Sequence, residues 1–172
     1  MHFTHNTLPA NISGQSIELL NKHLAAAIDL HGQLKQAHWN VRGPGFMAVH
    51  ELFDKVAASV EAFSDLLAER AAALGGVAAG TIQVASQRTF LLPYTLHIAD
   101  THAHIFAVSA ALAAFGQSLQ GAIRQAADAG DATTTDILTE ISRGVDQALW
   151  FIEAHAAPVN AGHAHAVSVA AD

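Results

Sequence analysis

Apolar residues recur at three- and four-residue intervals along four long stretches of this chain, and polar breaks separate them. The spacing predicts four helices, the first from about Ser16 to Val41, with Asn11, Ser13 and Gly14 before it as capping residues. RGPG at 42–45 ends that helix and favours a short αα-hairpin into a second, from about Gly45 to Leu74, which stops at Gly75 and Gly76. The next connection is long enough to cross the length of a bundle, and VASQR at 84–88 is expected to form a short helix inside it. A third long helix is expected over Leu96 to Ala127 and a fourth over Thr133 to His155, after which Pro158 ends regular structure. The reading is an all-α four-helix bundle over 15–156, with a flexible N-terminal tail at 1–14 and a flexible, histidine-containing C-terminal tail at 157–172.

The second helix carries an unusual polar stripe. His50, Asp54, Asp65 and Glu69 fall on one face roughly 100° wide, at about 100° per residue. One chain cannot bring them to a single ion, because His50 and Glu69 stand about 28 Å apart along a straight helix. Two copies packed antiparallel about a two-fold axis can. The pairs His50/Glu69 and Asp54/Asp65 are centred on the same point, between Ser59 and Val60, so one register sets His50 beside the mate's glutamate and Asp54 beside the mate's aspartate. Ala57, Ala58 and Ala68 are expected to line the stripe and let the helices approach; Glu61 falls on the same face without an assignment. His38 lies a turn before the RGPG hairpin and His50 a turn or so after it, so the two histidines share one end. Mixed imidazole and carboxylate ligands suit iron, zinc or manganese, whereas calcium and magnesium prefer oxygen alone. Each residue taken singly reads equally as a surface polar group; the shared centre is what singles them out.

The segments AHWNVRG, FMAVHELFD and DLLAERAAALGG resemble the Dps family, the ferritin-like mini-ferritins, from about residue 15 to 155. All five family ferroxidase positions are filled, by His38, His50, Asp54, Asp65 and Glu69. The resemblance implies a ferritin-like four-helix bundle assembled as a hollow homo-dodecamer with the centres at two-fold interfaces. It implies a ferroxidase that oxidises Fe(II), preferring hydrogen peroxide to dioxygen, and stores the ferric mineral in the shell, which protects DNA from oxidative damage; zinc or manganese are possible substitutes for iron. Trp39 matches the family's tryptophan near the centre, where it intercepts oxidising equivalents, although a packed aromatic anchor reads the same way. Iron entry implies negatively charged pores, for which Asp131 and Asp136 are the preferred candidates near Asp128 and Glu140; helix-start capping is the other reading of Asp131.

Composition narrows the picture further. At 172 residues one domain is expected, and 51% hydrophobic residues with a mean hydropathy of +0.27 is high for a soluble monomer, which burial between subunits would explain. IFAVSAALAAFG at 105–116 is too short to span a bilayer and should be a buried bundle helix, so no membrane partner is expected. The chain has no cysteine, which excludes disulfide and thiolate chemistry without fixing a compartment; the N-terminal residues lack a basic start followed by an apolar core, which makes the cytoplasm the expected location, with nucleoid association belonging to the alternative function. Eight Lys plus Arg against fifteen Asp plus Glu give a formal charge of −7, and no lysine-rich tail is present. DNA compaction as a nucleoid protein is the alternative function, but such a subunit repels a duplex at neutral pH. His2, His5, His163 and His165 in the tails would favour DNA or metal binding only through their own titration or ligation. A bacterioferritin-type centre inside one bundle is disfavoured because no Glu-x-x-His pair occurs. His97, Asp100, His102 and His104 open the third long helix and are read as solvated or core-edge residues rather than a second metal site; Trp150 and Phe151 are read as a core or interface anchor.

Overall fold

A computed structural model describes residues 2–98 and 100–156. It consists of α1 (Ala10–Asn40), α2 (Phe46–Ala73), the short α3 (Ile82–Arg88), α4 (Thr101–Asp128) and α5 (Ala132–Ala154), with no strand among the described residues. α1 pairs with α2 and α4 with α5 as two antiparallel hairpins. They face each other through α1 against α4 and α2 against α5, while α3 lies against α1. The segment 74–100 carries the chain from one hairpin to the other, the long crossover of ferritin-like bundles.

Seven-residue steps build the core. Phe53, Val60, Leu67 and Leu74 are fully buried, as are Leu112 and Leu119 after Ile105, and Leu138 and Ile152 around Val145. This period keeps one seam of each helix facing its neighbours at a shallow crossing angle, and each large apolar side chain so buried contributes about 1.5–3 kcal/mol. Between α2 and α5 the helices touch closely at Gly144, where a Cβ would run into the Phe63 ring. Gly130, at φ +78°, ends α4 in a Schellman turn: its own N–H bonds Ala127 O at 2.9 Å and that of Asp131 bonds Ala126 O at 3.0 Å.

Several expected boundaries shift. α1 starts at Ala10, so Asn11, Ser13 and Gly14 are inside it; Pro9 holds the N-cap position with φ −52°, a value already suited to a helix start. Residues ahead of it lie against the end of α2, where the His2 N–H bonds Gly75 O at 2.7 Å. The short helix begins two residues before the expected VASQR and is capped by Thr81, whose side chain accepts from the Val84 N–H. α4 begins at Thr101 rather than Leu96 because the Asp100 carboxylate caps the Ala103 N–H at 2.9 Å.

α4 is long and apolar enough to cross a membrane by length and composition, yet only 39% of its most apolar window is buried inside the protomer. It is the expected bundle helix, burying one side inside the protomer and leaving the other uncovered in a single chain. Ile105, Leu112 and Phe115 face the core, while Phe106 is 78% exposed on the other side. Trp150 is also exposed, which removes the core reading of that aromatic anchor. His163 and His165, with the C-terminal tail, lie outside the described residues.

Candidate metal centre

At the hairpin end of the bundle the α1–α2 turn brings His38 and His50 together. Gly45, at φ +74°, stands at the N-cap of α2 in a conformation that side chains disfavour and lets the chain reverse. The two imidazoles stack with centroids 3.7 Å apart and planes 22° from parallel. Each Nδ1 donates to the other residue's backbone carbonyl, His38 Nδ1–H to His50 O at 2.8 Å and His50 Nδ1–H to His38 O at 2.9 Å. With Nδ1 carrying the proton, each Nε2 keeps its lone pair, the form in which imidazole binds a metal. Reciprocal bonding thus fixes two tautomers and two ring orientations with backbone atoms alone.

Asp54, one turn beyond His50, places Oδ1 4.0 Å from His38 Nε2. Its carboxylate is exposed and held by the Lys35 ammonium, whose hydrogen bond is the main cause of a pKa below the ordinary carboxylate value; the ammonium charge and the two histidines act in the same direction. Lys35 also lies 5.9 Å from the centre of the Trp39 ring, which is 66% exposed. A cation is therefore already attached to the carboxylate of this half-site. Sequence reading missed Lys35, although its position one turn before His38 on the same helix was a usable signal.

Asp65 and Glu69 are exposed near the other end of α2. Among the described residues of one chain, no group of three or more His, Asp or Glu side chains is placed to hold a metal ion. A shallow groove beside Asp65 is lined by Ala58, Glu61, Ala62 and Ala68 of α2, with Leu24 and Ile28 of α1. Ala57, expected in the stripe, instead points into the protomer's own core, and Ala62 takes an exposed place on that face. One chain thus brings together His38, His50 and Asp54 and leaves the remaining two expected ligands open to solvent.

The expected pore residues separate. Asp136 is exposed, whereas Asp131 is turned inward and its side chain is only 2% exposed, which corrects its reading as a pore carboxylate. It caps α5 by accepting from the Thr134 N–H at 3.0 Å, and it also accepts from Thr134 Oγ1 at 2.6 Å, Ser16 Oγ at 2.7 Å and the Arg70 guanidinium at 2.8 Å. Burial alone would raise its pKa, but these donors together hold it below the usual value. A carboxylate so occupied is a structural knot.

The four polar residues at the start of α4 do not converge. His97 and His102 are exposed, Asp100 is the helix cap, and His104 is buried against Tyr94. His23, in the core, spends both nitrogens: Nδ1–H donates to Leu19 O at 2.8 Å and Nε2 accepts from Ser118 Oγ at 3.0 Å.

Residues 17–160 match the family model of the ferritin-like domain. A DNA protection during starvation protein from Agrobacterium fabrum is 43% identical over 154 residues, 90% of this chain and 95% of the relative. Among solved structures, a Dps from Mycobacterium smegmatis superposes with a TM-score of 0.85 at 30% identity, covering 90% of this chain and 93% of that one. DpsC from Streptomyces coelicolor gives 0.88 at 27% identity, with 94% of each chain covered.

Proposed function

The chain belongs to the Dps family of ferritin-like proteins, and from that premise we propose that it is a ferroxidase that assembles as a dodecamer, oxidises Fe(II) at two-fold interfaces and stores the ferric product inside the shell. His38, His50 and Asp54 of one subunit and Asp65 and Glu69 of its mate are the ligands. The observation that carries this reading is the reciprocal bonding of His38 and His50, which leaves both Nε2 lone pairs free on adjacent rings. Exposed Asp65 and Glu69 on a small-residue groove supply the complementary half. Uncovered apolar side chains such as Phe106, Ile82 and Trp150 support burial between subunits.

Iron is the substrate. Loading Fe(II) requires Asp54 to exchange the Lys35 ammonium for the ion, so that its carboxylate has a cationic partner both before and after loading. Two Fe(II) give one electron each to hydrogen peroxide, the preferred oxidant over dioxygen; the O–O bond breaks and two protons complete two waters. Zinc or manganese fit the same donors without that chemistry. Trp39, exposed beside Lys35, is placed to intercept stray oxidising equivalents, and Asp136 is the remaining pore carboxylate. Consuming Fe(II) and peroxide together protects DNA without holding it, and the location is cytoplasmic. A net charge of −7 per subunit works against duplex binding at neutral pH.

Mixed assembly tests the shared site. Shells of His38→Ala/His50→Ala subunits and shells of Asp65→Ala/Glu69→Ala subunits are each expected to oxidise Fe(II) at the background rate. Co-assembled at random, half of the dimers pair one of each, and one of their two sites is intact, so about a quarter of wild-type activity returns. Two inactive parents that give an inactive mixture, with co-assembly shown by native mass spectrometry, would refute the interfacial centre.

A further inference from the structure

A polar pair outside the metal centre, half-buried Tyr94 and buried His104, is used by neither the fold's caps nor the iron ligands. Tyr94, the chain's single tyrosine, places its hydroxyl 2.6 Å from Nδ1 of His104, which is 1% exposed. The other ring nitrogen, Nε2, is buried and completes no hydrogen bond, and the nearby Asn40 backbone carbonyl favours a protonated ring. A neutral imidazole has one N–H. The phenol is the stronger acid of the pair, so the shared contact is served best with the ring hydrogen on Nε2 and the lone pair on Nδ1. Nδ1 is therefore the acceptor and the Tyr94 hydroxyl the donor.

Burial keeps both partners neutral. It pushes the Tyr94 phenol up to about 12, and it lowers the His104 imidazole, against the opposing pull of the Asn40 carbonyl and of Asp100 one turn earlier. The pair sits at the His38 end of the bundle: Asn40 is two residues beyond His38 on α1, and Thr101 Oγ1 bonds Arg42 O to tie the start of α4 to the hairpin. A tyrosine with an aligned proton acceptor can lose an electron without forming a high-energy protonated phenol radical.

We propose that Tyr94 and His104 act as a radical sink beside the iron centre, the tyrosine giving the electron and the histidine taking the proton. The proposal rests on the ferroxidase reading for its source of radicals. A hydroxyl radical, formed when Fe(II) splits peroxide in a one-electron step, takes one electron from Tyr94 and becomes hydroxide. The phenolic O–H bond breaks, its proton crosses to His104 Nδ1, and a neutral phenoxyl radical faces an imidazolium. The Asn40 carbonyl and Asp100 both favour the imidazolium's charge. A further Fe(II) returns the electron, becoming Fe(III), and His104 returns the proton. The balance converts one hydroxyl radical and one Fe(II) into hydroxide and Fe(III), with Tyr94 restored.

Rapid-freeze electron paramagnetic resonance on the assembled full-length protein, mixed with Fe(II) and hydrogen peroxide, reads the radical directly. A tyrosyl signal in the wild-type protein can come only from Tyr94. It is expected to vanish in Tyr94→Phe and to fall at least tenfold in His104→Gln. An iron-free arm uses photogenerated tris-bipyridyl ruthenium(III) as the oxidant. Tyr94 oxidation should show a solvent deuterium isotope effect in the wild type and slow at least tenfold in His104→Gln; the wild-type isotope effect needs no variant to fold. Radical confined to Trp39 or Trp150, an unslowed His104→Gln, or no isotope effect would overturn the sink. Absent iron oxidation with a normal iron-free arm would instead overturn the ferroxidase reading.

Discussion

The two ends of α2 hold charged groups in opposite states of completion. Near its C-terminus Arg70 meets Asp131, and the carboxylate also accepts from Ser16 Oγ, Thr134 Oγ1 and the Thr134 N–H, so both of its oxygens are occupied within one chain. Near its N-terminus His38 and His50 keep a free Nε2 each, and Asp54, its side chain 53% exposed, has a single lysine for company. A closed polar cluster fixes the arrangement of helices, while an open one whose geometry is already fixed is ready for something from outside. His23 belongs to the closed kind, since Leu19 O and Ser118 Oγ occupy both of its nitrogens.

Breaking the closed end should cost stability and spare chemistry. Arg70→Ala leaves Asp131 buried without its cation and is expected to destabilise the protomer by about 3 kcal/mol, the low end for a buried pair because the site lies just beneath the surface. Urea denaturation measures this, and Fe(II) oxidation per assembled shell should stay within twofold of wild type. Equal loss of oxidation in folded shells would erase the contrast between the ends.

The open end should behave in reverse. His38→Ala/His50→Ala is expected to slow peroxide-dependent Fe(II) oxidation by at least about 100-fold, the upper range for changes even to outer-shell partners of a metal, with the urea midpoint nearly unchanged. A normal rate in assembled shells would remove the histidines from the centre.

Histidine titration sharpens the comparison within the core. Desolvation holds the His23 pKa below its ordinary 6.5, only partly offset by its bond to Leu19. The unfolded chain therefore binds more protons below pH 6.5, and stability that is complete above that value declines as pH falls toward the folded pKa, at up to about 1.4 kcal/mol per pH unit. Urea midpoints measured from pH 7.5 downward should fall less steeply in His23→Gln than in the wild type. Identical slopes would assign the acid loss to other groups.

The smallest effect is expected at Lys35. Lys35→Met frees Asp54 and should tighten Zn(II) binding to the assembled shell by about two- to fivefold, the scale of an exposed ion pair. The same change should raise the Asp54 pKa toward the ordinary carboxylate value, read by carboxyl NMR. Weaker zinc binding would mean that Lys35 organises the site instead of occupying it.

Helix identity was legible because the apolar spacing and the Gly and Pro breaks act locally, and each of the four long helices lies where the pattern placed it. Boundaries moved where one residue decided the start, as Pro9 did for α1 and Asp100 for α4. The proximity of His38, His50 and Asp54 was also legible, because a short hairpin between two helices leaves little choice of neighbours. Asp131 was not: its partners Arg70 and Ser16 lie 61 and 115 residues away, and no local pattern encodes which end of which helix will meet them. The Tyr94–His104 pair was hidden for a related reason, since a loop tyrosine and a helical histidine reveal their alignment only once α4 docks on the hairpin. Periodicity along the chain determined which segments are helices and which faces are apolar; packing in three dimensions decided which polar groups were consumed and which were left free to react.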